Sequence, residues 1–151
     1  MKLGLATYQC ADCLHTFDAP LFREAYGEFL LWSKQGNVAY LNAIEDVVYK
    51  EVEDLLWTHP KTLGMSSLNC SNLLQKIYGS LTCDRDQVGN SFEIGTHPPC
   101  PLCKSQNMDA WDFKTPSEVI EVEVKPITYT NWVTLTEQEK FRLLDVKIGT
   151  L

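Results

Sequence analysis

Residues 8–17 read YQCADCLHTF and residues 98–105 read PPCPLCKS, so a Cys-x-x-Cys pair occurs twice in the chain. Two residues between the cysteines allow a tight turn to direct both sulfur atoms to one side, where backbone N–H groups can donate hydrogen bonds to them. Two such turns that face each other supply the tetrahedral set of four thiolates that zinc prefers. The spacing therefore predicts one metal site that holds a single structural zinc ion, with the ligands Cys10, Cys13, Cys100 and Cys103.

Both pairs resemble the knuckles of zinc-ribbon and rubredoxin-like proteins, in which Cys-Pro-x-Cys commonly forms the second knuckle. Tyr8, an aromatic residue shortly before the first cysteine, is similar to the rubredoxin pattern. Rubredoxins usually have glycine directly after each pair, where this chain has Leu14 and Lys104. The resemblance implies a ribbon-like pair of knuckles over residues 6–18 and 92–115, with residues 19–91 as a large insertion between them.

The coordination chemistry indicates a structural role, because four thiolates leave no open position for water or substrate. Iron suits the same sulfur ligands, so a rubredoxin-like iron electron carrier is the alternative, with zinc expected. His15 or His97 could replace one cysteine as a ligand. Either pair could instead be a redox dithiol or buried thiols, but a thioredoxin-type dithiol requires a helix after the motif, and neither pair is followed by one.

The remaining cysteines and histidines form no recognisable catalytic arrangement. Cys70 and Cys83 match no ligand spacing, so both are expected to be buried core thiols rather than a second metal site. His59 precedes a proline and is expected to lie in a loop. No glycine-rich phosphate loop occurs. We therefore expect that the protein is not an enzyme.

Length, composition and charge restrict the class of protein. The 151 residues, 44% hydrophobic and 22% charged, predict one domain over residues 1–151. No apolar run approaches the roughly 20 residues needed to span a bilayer, and no secretory signal is recognisable, so we expect a cytoplasmic protein. The formal net charge of −7 disfavours nucleic acid or an anionic membrane as a partner, since both bind through a concentrated positive field.

The hydrophobic pattern mixes strands and helices without regular alternation, which predicts an α+β fold. The first two predicted strands form a hairpin whose turn is the first knuckle, the next two form a second hairpin, and the following two pair with each other. In chain order the predicted strands span residues 6–9, 15–18, 28–33, 38–41, 81–83, 91–94, 110–113 and 119–125.

The first two helices are predicted from caps and apolar periodicity. Asn42 is the expected N-cap of the first helix, whose apolar residues recur at three- and four-residue spacing from Ile44 to Leu56. The second helix is predicted over residues 68–78, with Gly79 as its C-terminal stop.

The C-terminal part, residues 116–151, is predicted to contain one strand and one helix. Residues 119–125 alternate strictly between apolar and charged side chains, as a half-buried strand does. Thr136 and Glu139 are spaced as a capping box, which predicts a helix that buries Phe141 and Leu144.

Binding to another protein is the function that these features favour. A basic partner suits the acidic charge, and immunity-type proteins or other inhibitors that neutralise cationic toxins are of this kind. Glu118, Glu121 and Glu123 could form a docking surface, although a solvated face is the favoured interpretation. A zinc-ribbon regulator associated with nucleic acid is a further alternative, which the net charge opposes, and the oligomeric state stays open.

All four tryptophans are expected to anchor the core: Trp32, Trp57, Trp111 and Trp132.

Overall fold

The computed structural model describes residues 1–151 and has the predicted α+β fold, with six strands in two antiparallel sheets and three α-helices. The strands are β1 (Lys2–Cys10), β2 (Thr16–Leu21), β3 (Glu28–Trp32), β4 (Val38–Asn42), β5 (Met108–Phe113) and β6 (Val119–Glu121). The helices are α1 (Val47–Trp57), α2 (Ser67–Thr82) and α3 (Glu137–Gly149), with 3-10 turns at Pro60–Thr62 and Trp132–Thr134. None of these helices has the length and apolar character that crossing a membrane requires.

The first sheet, called the knuckle sheet below, consists of β1, β2, β5 and β6, with β1 at its centre. β2 pairs antiparallel with one edge of β1, which confirms the predicted hairpin. The other edge is shared, because β6 pairs with residues 2–4 of β1 and β5 pairs with residues 6–10. Side chains alternate along β1, so that Ala6, Tyr8 and Cys10 are buried on the same face.

The second sheet is the predicted hairpin of β3 and β4, which packs with the helices around the main core. Cys70 and Cys83 lie in this core, as expected for buried thiols. Burial raises the pKa of both thiols, that of Cys83 to about 12, so neither is activated as a nucleophile. The largest apolar contributors to the core are Leu31, Leu41, Val52, Leu56, Leu74, Ile77, Tyr78, Trp132 and Leu144.

Helix α1 begins later than predicted, because Asp46 rather than Asn42 is its N-cap. Oδ1 of Asp46 accepts a hydrogen bond from the N–H of Tyr49 at 2.9 Å. Asn42 is the last residue of β4, and its side chain accepts hydrogen bonds from the next turn of the chain instead. Ile44 is exposed and lies outside the helix, so the predicted start of the apolar stripe is wrong. The buried face of α1 consists of Tyr49, Val52 and Leu56.

Helix α2 continues through Gly79 and ends at Thr82, so the prediction that Gly79 stops this helix is wrong. Gly79 is buried against a neighbouring backbone, and a Cβ there would lie 1.8 Å from the carbonyl oxygen of Phe92. This position requires glycine because two segments of backbone touch. The predicted pairing of residues 81–83 with 91–94 is also wrong, since α2 includes residues 81 and 82 and Glu93 forms a bridge with Trp32.

Strand β6 is shorter than the predicted strand over residues 119–125. The apolar and charged side chains still alternate between half-buried and exposed up to Lys125, as predicted. Only Val119–Glu121 pairs with β1, because the chain then crosses to β4. There Tyr40 donates its N–H to the carbonyl oxygen of Lys125 and accepts from the N–H of Ile127, both at 2.9 Å.

Helix α3 begins with the predicted capping box of Thr136 and Glu139. Leu144 is fully buried, as predicted. Phe141 is 42% exposed, so its predicted burial is wrong. Its ring stacks on the imidazole of His59 with 5.0 Å between the ring centroids, which covers the histidine rather than filling the core.

The tryptophans differ in burial, and the prediction that all four are core anchors is wrong for two of them. Trp132 is buried, and its Nε1 donates to the carboxylate of Glu51 at 2.7 Å. Lys140 binds the same carboxylate at 3.1 Å, which ties α3 to α1. Trp57 and Trp111 are 41% and 47% exposed.

Candidate metal centre

The pairing of β1 with β5 brings the two knuckles together. The first knuckle, residues 10–14, begins at the last residue of β1, and the second knuckle, residues 100–104, precedes β5. Cys10 is the register partner of Met108 in β5. Beside this pair, the N–H of Ala11 donates to the carbonyl oxygen of Asn107 at 2.9 Å. Residues far apart in the chain therefore meet at one end of the knuckle sheet.

The sulfur atoms of the four predicted cysteines form a compact group. All four Sγ atoms lie within 4.8 Å of one another. The distance is 3.4 Å between Cys10 and Cys103 and 3.6 Å between Cys13 and Cys100. A tetrahedron with zinc–sulfur bonds of about 2.3 Å has sulfur–sulfur edges of about 3.8 Å. The four cysteines fit a metal ion and could hold one, which is consistent with a zinc-ribbon-like site.

The two knuckles have the same pattern of backbone hydrogen bonds. The N–H of Leu14 donates to the carbonyl oxygen of Cys10 at 3.0 Å, and the N–H of Lys104 donates to that of Cys100 at 2.8 Å. Leu14 and Lys104 both have a left-handed backbone, with φ of 63° and 67°. These are the positions where rubredoxins usually have glycine. The knuckle conformation is thus kept here at a cost of about 1–2 kcal/mol for each residue with a Cβ.

Hydrogen bonds and burial act in opposite directions on the cysteine thiols. Burial raises the pKa of Cys100, but backbone N–H groups of its own turn and the neighbouring thiols lower it, to about 7. The N–H of His15 lowers the pKa of Cys13, but burial and the adjacent sulfur atoms raise it, to about 12. Thiolates this close repel one another, so four of them require a cation at the centre of the group.

The site is half buried and half at the surface. The first cysteine of each pair is fully buried, whereas the second is exposed. The hydroxyl of Ser105 donates to the carboxylate of Asp12, which joins the two knuckles on the exposed side. A closed set of four thiolates leaves no position for substrate. This arrangement could hold two distant parts of the chain together.

The histidines lie outside the group of possible ligands. That group contains the four cysteines and neither His15 nor His97. His97 contacts the ring of Tyr8, with 5.8 Å between the ring centroids, and burial lowers the pKa of its imidazole.

His59 lies in the loop between α1 and the 3-10 turn at Pro60–Thr62, as predicted, and its side chain is buried. Its Nδ1 accepts a hydrogen bond from the N–H of Lys61 at 3.0 Å. Its Nε2 lies 3.1 Å from Oδ1 of Asp145, without a hydrogen bond between the two atoms. The imidazole is thus hydrogen-bonded on its Nδ1 side only, and its other side faces helix α3.

A cleft with a volume of about 280 Å³ lies beside the metal centre, between the knuckle sheet and the β3–β4 hairpin. Tyr8 and Trp111 line it from the knuckle sheet, with 6.3 Å between their ring centroids. Trp32 and Phe29 of β3 also line it. Sequence reasoning missed this cleft, because the lining comes from distant segments. The one available signal was Tyr8, an aromatic residue next to the first knuckle.

Comparison with known protein families, with curated proteins and with solved structures found no match. The resemblance to zinc-ribbon and rubredoxin-like proteins therefore rests on the two knuckles alone.

Proposed function

We propose that the four cysteines hold one structural zinc ion, and that the protein acts by binding another protein of basic character rather than by catalysis. The observation that carries the first part is the closed group of sulfur atoms, all within 4.8 Å of one another. Zinc bound there contributes a tetrahedral cross-link and no reactive position.

The cross-link joins strands that enclose a long stretch of chain. It ties the end of β1 to the segment before β5, while β3, β4, α1 and α2 all lie between the two knuckles. Closing a loop of this size restricts the unfolded chain by about 4–5 kcal/mol in the chain-entropy treatment of cross-links. Metal binding is therefore expected to add to the stability of the whole insertion, including the cleft at its border.

The distribution of charge supports a basic partner. The chain has 20 carboxylates against 13 lysines and arginines. Five carboxylates lie in ion pairs, and no positive group of the chain pairs with the others: the five are Asp18, Glu51, Glu118, Glu121 and Asp145. Glu123 is exposed and has no ion pair, which makes it the strongest docking candidate among the acidic residues of the β6 region. An immunity-type protein or other inhibitor of a cationic target is the specific form that this chemistry favours.

The test begins with capture of partners from the source cell, followed by measurement of the affinity of each purified partner. The affinity is expected to fall as salt rises, because exposed charges carry it. A variant with Glu121→Gln and Glu123→Gln is expected to bind about tenfold more weakly, while the matched variant Glu137→Gln, on α3, is unchanged. If no captured protein binds as a purified partner, or if removal of acidic residues changes no affinity, the binding function is contradicted.

One observation favours iron as a second candidate. Leu14 and Lys104 adopt the left-handed conformation that glycine would take, so the absence of glycine does not disfavour a rubredoxin-like centre. The exposed second cysteine of each pair would allow electron exchange at the surface. Colour distinguishes the two metals, because a ferric tetrathiolate is red and a zinc tetrathiolate is colourless. A colourless protein with bound zinc rejects the electron carrier.

A further inference from the structure

We infer that the cleft beside the metal centre binds a lysine or arginine side chain of the partner protein, an inference that rests on the proposed function. The cleft lies between the knuckle sheet and the β3–β4 hairpin and has a volume of about 280 Å³. Its aromatic lining and its single carboxylate restrict what can occupy it.

Aromatic rings dominate the lining. Tyr8 and Trp111 line the cleft from the knuckle sheet, and Trp32, Phe29 and Phe22 line it from the insertion. Trp111 is 47% exposed, so its ring is accessible from solvent. Aromatic faces attract organic cations through their quadrupole and pack against the methylene stem of a long basic side chain.

Glu28 is the one carboxylate in the lining, and no positive group of this chain pairs with it. Its Oε1 accepts a hydrogen bond from the hydroxyl of Tyr40 at 2.5 Å, which fixes the carboxylate without neutralising it. None of the ion pairs in the structure includes Glu28. Arg23, close in sequence, lies over the ring of Phe113 at 4.7 Å. The cleft thus contains a fixed negative charge among aromatic side chains.

The aromatic lining together with the Glu28 carboxylate disfavours apolar side chains, acidic groups and phosphates as occupants of the cleft. An apolar side chain would cover the Glu28 carboxylate without pairing it, which is costly. An acidic group or a phosphate would be repelled by the same carboxylate. The imidazole of His97, whose pKa is lowered by burial, supplies no compensating positive charge near neutral pH. A lysine or arginine side chain satisfies both features, because its stem packs on the rings and its charged end binds Glu28.

The test uses the capped peptide Gly-Lys-Gly as a probe, with capped Gly-norleucine-Gly and Gly-Glu-Gly for comparison. Binding is followed by NMR of the indole N–H groups on the zinc-loaded full chain. The lysine peptide is expected to shift the signals of Trp32 and Trp111 and to leave that of the buried Trp132 unchanged. If the norleucine peptide causes the same shifts at the same concentration, the inference is overturned.

The matched variants are Glu28→Gln and Glu24→Gln. Glutamine at position 28 still accepts the hydrogen bond of Tyr40 and removes only the charge, so the fold is retained, as circular dichroism can verify. Glu24 is exposed and lies outside the cleft lining. Glu28→Gln is expected to lower the affinity for the lysine peptide and for the purified partner at least tenfold. Glu24→Gln is expected to leave both affinities unchanged. Equal affinity of Glu28→Gln and the wild type overturns the inference.

Two outcomes separate this inference from the proposed function. If a purified partner binds the wild type and Glu28→Gln equally, the inference fails and the binding function stands. If the lysine peptide binds as described but no protein partner is recovered, the binding function fails, and with it the assignment of the cleft to a partner's side chain.

Discussion

Replacing Leu14 with glycine is expected to stabilise the protein, although the change removes a large apolar side chain. Leu14 has a φ of 63°, and relief of this left-handed conformation is worth about 1–2 kcal/mol. Glycine makes the unfolded chain more flexible, which offsets about 0.5–1 kcal/mol of that gain. Because Leu14 is 63% exposed, little buried area is lost. The net expectation is a gain of about 0.5–1 kcal/mol in the free energy of unfolding.

Leu102→Gly is the matched control. Leu102 lies in the second knuckle and is 68% exposed, but its φ is not positive. Its replacement by glycine relieves no backbone strain and is expected to lower the free energy of unfolding by about 0.5–1 kcal/mol. Both variants are measured by urea unfolding at a fixed excess of zinc, because metal binding and folding are coupled. If Leu14→Gly destabilises the protein as much as Leu102→Gly, the strain assigned to the first knuckle is refuted.

Two further predictions concern the insertion and its link to the C-terminal part. Gly79→Ala is expected to lower the free energy of unfolding in urea by about 3 kcal/mol or more, because the new Cβ would overlap the carbonyl oxygen of Phe92 at 1.8 Å. An increase of about 1 kcal/mol, which is typical of this change in an exposed helix, would contradict the close contact. Asp84 has a lowered pKa, since hydrogen bonds from Thr128 and Thr130 outweigh the opposite effect of its burial. A carboxyl group whose pKa is lowered by folding stabilises the folded state at every pH above its pKa in the unfolded chain, which is near 4. This contribution is lost as the pH falls through the pKa of the folded state. The Asp84→Asn variant is therefore expected to be less stable than the wild type at pH 7, and this difference in stability is expected to shrink at low pH. A difference that stays constant across this pH range would contradict the assignment.

Local signals in the sequence predicted much of the fold. The hairpin around the first knuckle, the hairpin of β3 and β4 and the capping box of Thr136 depend on residues close together in the chain, so their patterns were sufficient. The grouping of the cysteines was also predictable, because two Cys-x-x-Cys pairs in one chain have few other uses. The α+β class followed from the mixed periodicity.

The errors arose where a local signal had two physical meanings. Asn42 and Asp46 are both good N-caps, and the pairing of β4 through Asn42 delayed the helix to Asp46. Gly79 resembled a helix stop, but the reason for glycine there is the approach of Phe92, which only the tertiary structure shows. Strand β6 ended early because the chain after Glu121 leaves β1 and crosses to β4, where Tyr40 bonds to Lys125 and Ile127. The aromatic cleft combines segments that no local pattern connects.

The most direct test of the structural-zinc account is the metal content of the purified protein, measured by elemental mass spectrometry on the wild type, Cys100→Ser and Cys70→Ser. The wild type is expected to be colourless with one zinc ion per chain. Cys70→Ser is expected to keep that ion, because Cys70 lies in the core and outside the sulfur group. Cys100→Ser is expected to lose most of it. A wild-type protein without zinc, or a Cys100→Ser protein that retains one zinc ion as firmly as Cys70→Ser, would contradict the account.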